Sequence, residues 1–248
     1  MNLDITARVH SQESAGAVDG PGLRYVIFLQ GCPLRCKFCH NPDTWNIKGG
    51  EELSVRDLVN NVMKYKAFMQ FSGGGVTVTG GEPLLQKKFI YELFSELKYK
   101  GVHTAIDTSG YTKIDDDLDK VLSVTDLVLL DLKHLNPKAH ADLTGVGNDL
   151  VFEFLKLLHQ KKIRTWIRYV VLAGINDSAV YAENFAKFIK EFDNVELVEL
   201  LPYHEMGTDK WSQLGLKYQL SKENIPSREK LKEIADILAK YGIETHGA

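Results

Sequence analysis

At 248 residues, with 44% apolar and 25% charged side chains, the chain has room for one sizeable core and the balance of an ordinary globular protein. Its formal net charge of −3 gives no broad electrostatic pull toward nucleic acid or acidic membrane, and no apolar run approaches the roughly 20 residues of a membrane span. The opening residues lack the charged, apolar and small-residue succession of a signal peptide, so a cytoplasmic protein is expected.

In chain order, residues 1–22 are polar and glycine-containing, and Asp19-Gly20-Pro21-Gly22 makes a tight loop. Residues 23–29 read as a buried strand, short, apolar and rich in aromatic and β-branched side chains. Ser54 caps a helix predicted through about Phe68, with Leu58, Val59, Val62 and Tyr65 at helical spacing. Three glycines at 73–75 break it, and 76–79 is a short strand ending at Gly80-Gly81-Glu82. A helix follows over about 85–100, then a strand over 103–106 that delivers Asp107 and Thr108. A short helix near 118–123 precedes the apolar strand 127–130, which runs into Asp131-Leu132-Lys133. Helical stretches within 137–144 and over about 150–160 lead to a strand over 165–171. A helix within 179–192, a strand over 195–201 ending at Pro202-Tyr203-His204, a helix capped by Ser227 and a short strand near Ile243 complete the chain.

Strand and helix alternate about six times, which implies a parallel sheet with right-handed crossovers. Eight such units would close a barrel, and six leave it partly open, so the expected fold is an α/β, laterally open (β/α)6 barrel. One domain is expected, with 1–22 folding over the barrel, a core over about 23–205, and the final helix and strand within 206–248. In such folds the loops at the carboxyl ends of strands build the active site. The cysteines, Glu82, Asp107, Asp131 and His204 all follow strands, and Arg168 lies within one.

All three cysteines, Cys32, Cys36 and Cys39, stand as C-x3-C-x2-C directly after the first buried strand. Thiolates this close on one loop suit a soft metal or an iron–sulfur cluster, and a disulfide would leave an odd cysteine over. Zinc would need a fourth ligand, which His40 could supply, though adjacent Cys and His strain to bind one tetrahedral ion. A four-iron cluster normally takes four cysteines, so here one iron would lack a protein ligand and stand open to a substrate or cofactor.

Other residues carry bland and functional readings side by side. Gly80 and Gly81 let backbone approach a ligand closely or simply form a loop. Asp131 and Lys133 are a cofactor-binding pair or an exposed ion pair. His204 is a ligand contact or an ordinary surface histidine. The Arg168 guanidinium, amid Trp166, Ile167 and Tyr169, is costly without an anionic partner, so a ligand carboxylate or a nearby Asp or Glu is expected.

The cysteine motif with Phe38 before its last member resembles the signature of the radical S-adenosylmethionine enzymes. The resemblance extends over nearly the whole chain through residues 18–22, 39–45, Gly80-Gly81-Glu82, residues 107–110, Asp131-Leu132-Lys133, residues 166–171 and residues 201–205, and it is nearest to the branch that activates glycyl-radical enzymes. It implies a [4Fe–4S] cluster on Cys32, Cys36 and Cys39 whose open iron is chelated by S-adenosylmethionine. It further implies one-electron cleavage to methionine and a 5′-deoxyadenosyl radical, which takes a hydrogen atom from a glycine of formate acetyltransferase, pyruvate formate-lyase. By resemblance Phe38 and His40 touch adenine, Gly80, Gly81 and Glu82 bind the methionine amino group, and Asp131, Leu132 and Lys133 hold the ribose and carboxylate. Arg168 and His204 complete the cofactor site. Asp107, Thr108 and Asp131 are the oxygen donors for a monovalent cation, and Asp19 is assigned to the protein substrate. The partners implied are the glycyl-radical enzyme and a flavodoxin- or ferredoxin-type electron donor, with the chain a monomer. Two departures stand out: Ser109 replaces the asparagine of the family's Asp-Thr-Asn-Gly, and Leu129 stands where a methionine is often found. The rival readings are an activator of another glycyl-radical enzyme, a radical enzyme acting on a small molecule, and a zinc-binding module without catalysis. The absence of any cysteine after Cys39 argues against activators that carry an inserted ferredoxin-like domain.

Overall fold

The first surprise of the computed structural model, which describes residues 2–247, is that the polar opening is a strand. β1 (Thr6–Gly16) buries Ala7, Val9 and Gly16 and otherwise presents mostly polar side chains, as a half-covered strand does. It pairs antiparallel with β2 (Arg24–Leu29), Val9 opposite Leu29 and Gly16 opposite Arg24. Much of the opening segment expected to fold over a barrel is thus a strand paired with β2. With only two buried side chains and register shifts along its length, β1 offers too weak a period-2 signal to be read from sequence.

The chain then forms β3 (Glu51–Ser54), α1 (Val55–Met63), α2 (Lys66–Ser72), β4 (Gly75–Gly80), α3 (Lys87–Tyr99), β5 (His103–Thr108), α4 (Asp116–Ser123) and β6 (Leu127–Asp131). It continues with α5 (Pro137–Thr144), α6 (Asp149–Gln160), β7 (Thr165–Val171), α7 (Ala179–Ile189), β8 (Val195–Pro202), α8 (Thr208–Gln213), α9 (Arg228–Lys240) and β9 (Thr245–His246). β3 and α8 are further elements the sequence reading missed. The helix predicted from Ser54 to Phe68 is instead two. Ser54 caps α1 through a reciprocal pair with Asp57, and Tyr65, its ring 5.5 Å from that of Tyr25, breaks the run before α2.

Two compact units result. One gathers the chain up to Pro33 with Thr44–Leu129, the other Leu34–Asp43 with the chain from Leu130 onward. In the first, the strand order is β3-β1-β2-β4-β5, with β2, β4 and β5 parallel. In the second unit the order is β7-β8-β9, again parallel. The arrangement is α/β and mostly parallel, and it is open, since among the described residues the order ends on β3 and on β9. Strands β2, β4 and β6 are almost wholly buried, as expected of strands covered on both faces. Among the described residues no helix is long and apolar enough to cross a membrane.

Candidate active site

In the first unit, β2 ends at Leu29 and the chain turns through Gly31, whose φ is 98°, into Cys32. The Gly80-Gly81-Glu82 strand end is stitched to this turn: Gly81 N–H donates to Leu29 O (2.9 Å) and Glu82 N–H to Gly31 O (2.8 Å). A Cβ on Gly81 would stand 2.2 Å from Gly31 O, and one on Gly80 2.4 Å from the backbone of Leu29. Both glycines are thus required by the approach of two backbones, one of which leads directly to Cys32.

Glu82 is fully buried and its carboxylate accepts four hydrogen bonds, from Leu84 N (3.0 Å), Thr108 Oγ1 (2.6 Å), Ser109 N (3.0 Å) and Ser109 Oγ (2.5 Å). Burial pushes its pKa up against those donors. The carboxylate is therefore committed to tying the end of β4 to the end of β5. Ser109, the departure noted in the sequence, contributes its hydroxyl to that tie. Asp107 accepts from Thr79 Oγ1 (2.8 Å), and the Thr108 hydroxyl also accepts from Gly110 N (2.9 Å).

Asp19 lies in the loop that joins β1 to β2, between Gly16 and Arg24, which stand opposite each other in the antiparallel pair. Its carbonyl accepts from Thr77 Oγ1 (2.6 Å). Arg24, completely buried, donates to Thr77 Oγ1 (2.9 Å), Val76 O (2.5 Å) and Pro21 O (3.4 Å) and reaches His103 Nδ1 (3.2 Å). Burial lowers its pKa to about 10, with Asp19 the first of the charges opposing that fall.

In the second unit, the stretch Leu34–Asp43 is held by Arg35 N–H to Thr144 O (2.7 Å), Lys37 N–H to Leu143 O (2.9 Å) and Cys39 N–H to Cys36 O (3.1 Å). Cys36 is buried and Cys39 half-buried. Desolvation pushes the Cys36 thiol up to about 12, with Lys133 pulling the other way, so a thiolate here needs positive charge beside it. Lys133 ends 5.1 Å over the Phe38 ring and 3.0 Å from Asp131 Oδ2, with 10% of its side chain exposed. The two residues pair because the chain leaves β6 at Asp131, which lifts the alternation that would have set them on opposite faces. Leu132 is buried and its N–H donates to Arg168 O (3.1 Å). Arg168 stands 3.3 Å from Glu199, its neighbour on β8, which meets the expectation of a nearby acid.

His40 stacks on His204 with ring centroids 4.3 Å apart and its Nε2 3.1 Å from His204 O. Burial pushes His40 toward the neutral imidazole. Three residues that the sequence reading missed reach the same stretch. Gly207 packs so closely that a Cβ would lie 2.6 Å from His40 Cα, Lys210 binds Asn41 (2.8 Å) and Asp43 (3.0 Å), and the Trp211 indole N–H donates to Cys39 O (2.8 Å). A tryptophan in an otherwise polar segment was the one signal available for them. Among the described residues, no group of three or more His, Cys, Asp or Glu side chains is placed to hold a single metal ion.

Comparison with known proteins bears on this donor set. Residues 26–189 match the model of the Radical SAM superfamily. The chain is 45% identical over 241 residues to the pyruvate formate-lyase 1-activating enzyme of Escherichia coli K12, covering 97% of this chain and 98% of that protein. It is 47% identical over 235 residues to the pyruvate formate-lyase-activating enzyme of Staphylococcus epidermidis, covering 92% and 94%. Among solved structures, a domain of a pyruvate-formate lyase-activating enzyme from Bacteroides vulgatus superposes with a TM-score of 0.60 at 26% identity, covering 71% of this chain and 99% of that one.

Proposed function

Because the chain belongs to the Radical SAM superfamily and, within it, to the family of the pyruvate formate-lyase activating enzymes, we propose that it activates pyruvate formate-lyase by placing a radical on one of that enzyme's glycines. The observation that carries this reading is the match over 97% of the chain to a relative bearing that name. When bound, a reduced [4Fe–4S] cluster supplies one electron for cleaving S-adenosylmethionine to methionine and a 5′-deoxyadenosyl radical, which takes the glycine hydrogen atom.

Cys32, Cys36 and Cys39 would hold the cluster, and with three protein thiolates for four irons the cofactor's amino and carboxylate groups would take the remaining position. Ligands of a single ion must converge within about 2.0–2.3 Å of one point. Thiolates on a cluster each meet a different iron and need no such convergence. The tie between Gly81, Glu82 and Gly31 fixes the chain entering Cys32. Phe38 and His40 offer ring faces to adenine, and Asp131 and Lys133 offer a carboxylate and an ammonium to the ribose and the methionine carboxylate. Arg168 and His204 belong to the same cofactor site, and Asp107, Thr108 and Asp131 supply hard oxygens for a monovalent cation. A flavodoxin- or ferredoxin-type protein delivers the electron, and the chain works as a monomer. Anaerobic reconstitution followed by iron, sulfide and 5′-deoxyadenosine analysis tests this reading. Four irons with sulfide and cofactor cleavage support it, and stoichiometric zinc without acid-labile sulfide contradicts it.

Lys133→Ala removes one charge-assisted hydrogen bond and should weaken cofactor binding to the reduced protein about tenfold. Titration by electron paramagnetic resonance reads this, and an unchanged affinity together with an unchanged cleavage rate takes Lys133 out of the site. Asp19 is assigned to the protein substrate, where its carboxylate accepts from backbone N–H groups of an incoming glycine loop that has no side chain to grip. Asp19→Asn should leave cofactor cleavage without partner intact and lower glycyl-radical formation about tenfold. Equal loss of both, or loss of neither, rules that role out.

A further inference from the structure

The peptide groups on both sides of Cys39 are fixed by different parts of the chain. Its N–H donates to Cys36 O at 3.1 Å within the cysteine loop, while its C=O accepts from the Trp211 indole at 2.8 Å, 172 residues away. A residue has two soft backbone dihedrals, so fixing both flanking peptide planes fixes the direction of its Cα–Cβ bond. That bond carries the thiol. Trp211 is itself a rigid donor, 3% exposed and held edge-on to Tyr218 with centroids 5.1 Å apart at 89°. The neighbouring contacts of Gly207 with His40 and of Lys210 with Asn41 and Asp43 press the same stretch against the same short segment.

We infer that Trp211 is a positioning residue for the cluster: by holding the Cys39 carbonyl, it aims the Cys39 sulfur at its iron. This rests on the proposed function, since it presupposes that Cys39 is a cluster ligand. The competing explanation is that a buried indole N–H simply takes the nearest carbonyl. The two differ in what happens when the N–H is lost and the ring volume kept. A core role depends on the volume, whereas a positioning role depends on the hydrogen bond.

The test uses the full chain loaded anaerobically with its cluster and measures the rate at which iron passes to a ferrous chelator. Two variants are compared with the wild type, Trp211→Phe and the chain carrying benzothienylalanine at position 211, a near-isostere in which sulfur replaces the indole N–H. Both should release iron about fivefold faster, the value of one ordinary hydrogen bond, and the isostere should keep the wild-type unfolding midpoint. Unchanged release from the isosteric protein overturns the inference, whether or not Trp211→Phe releases faster through lost packing. A wild-type chain that takes up no acid-labile sulfide overturns the proposed function and this inference with it. A normal cluster in all three proteins with equal release overturns the inference alone.

Discussion

Cys32→Ala and Cys39→Ala should each reduce bound iron and acid-labile sulfide to background and lower glycyl-radical formation more than about 100-fold, since even outer partners of a metal ligand cost 10–100-fold. The chain has no cysteine beyond these three, so nothing can replace a lost thiolate. Both positions are half-buried and make poor core anchors, so the unfolding midpoint of the metal-free protein should move little. Cys36 is the less clean choice, because it is buried and its removal also costs packing. Retention of the cluster in either variant would mean that the motif has been misassigned.

Arg24→Met is expected to have the largest effect on stability. The side chain is wholly buried, and it gathers Thr77, Val76 O, Pro21 O and His103 around one guanidinium. Removing it leaves buried acceptors unpaired and strips the charge that faces Asp19, a loss of about 3 kcal/mol or a fall of about 6–12 °C in the unfolding midpoint. Arg24→Lys should recover little, because an ammonium cannot reach acceptors spread over a planar fork. Calorimetry checks this directly, and a fall of less than about 2 °C for Arg24→Met would show that the contacts contribute little. The loop carrying Asp19 leans on Arg24 through Pro21 and Thr77. Radical transfer to the protein substrate should therefore suffer alongside stability.

Much of this was legible in the sequence because strongly apolar strands and glycine-marked strand ends leave plain signals. The strands β2 and β4 to β8 stand where the pattern put them. β1 was not legible, since only Ala7 and Val9 face inward and its partner β2 supplies the rest of the reason it is a strand. Long-range ties were invisible for a different reason: nothing near Glu82 announces Ser109, and nothing near Cys39 announces Trp211. A guanidinium in an apolar strand calls for a ligand carboxylate or a nearby acid whatever the fold, and Glu199 is such an acid.

Conversion of a glycine of pyruvate formate-lyase into a radical by this chain can be observed directly. Anaerobic incubation of the reconstituted chain with that enzyme, S-adenosylmethionine and a low-potential reductant, read by electron paramagnetic resonance, should show a glycyl-radical doublet that grows with 5′-deoxyadenosine and is absent from Cys39→Ala. A fully reduced cluster that cleaves the cofactor but leaves the enzyme without any radical signal would contradict it.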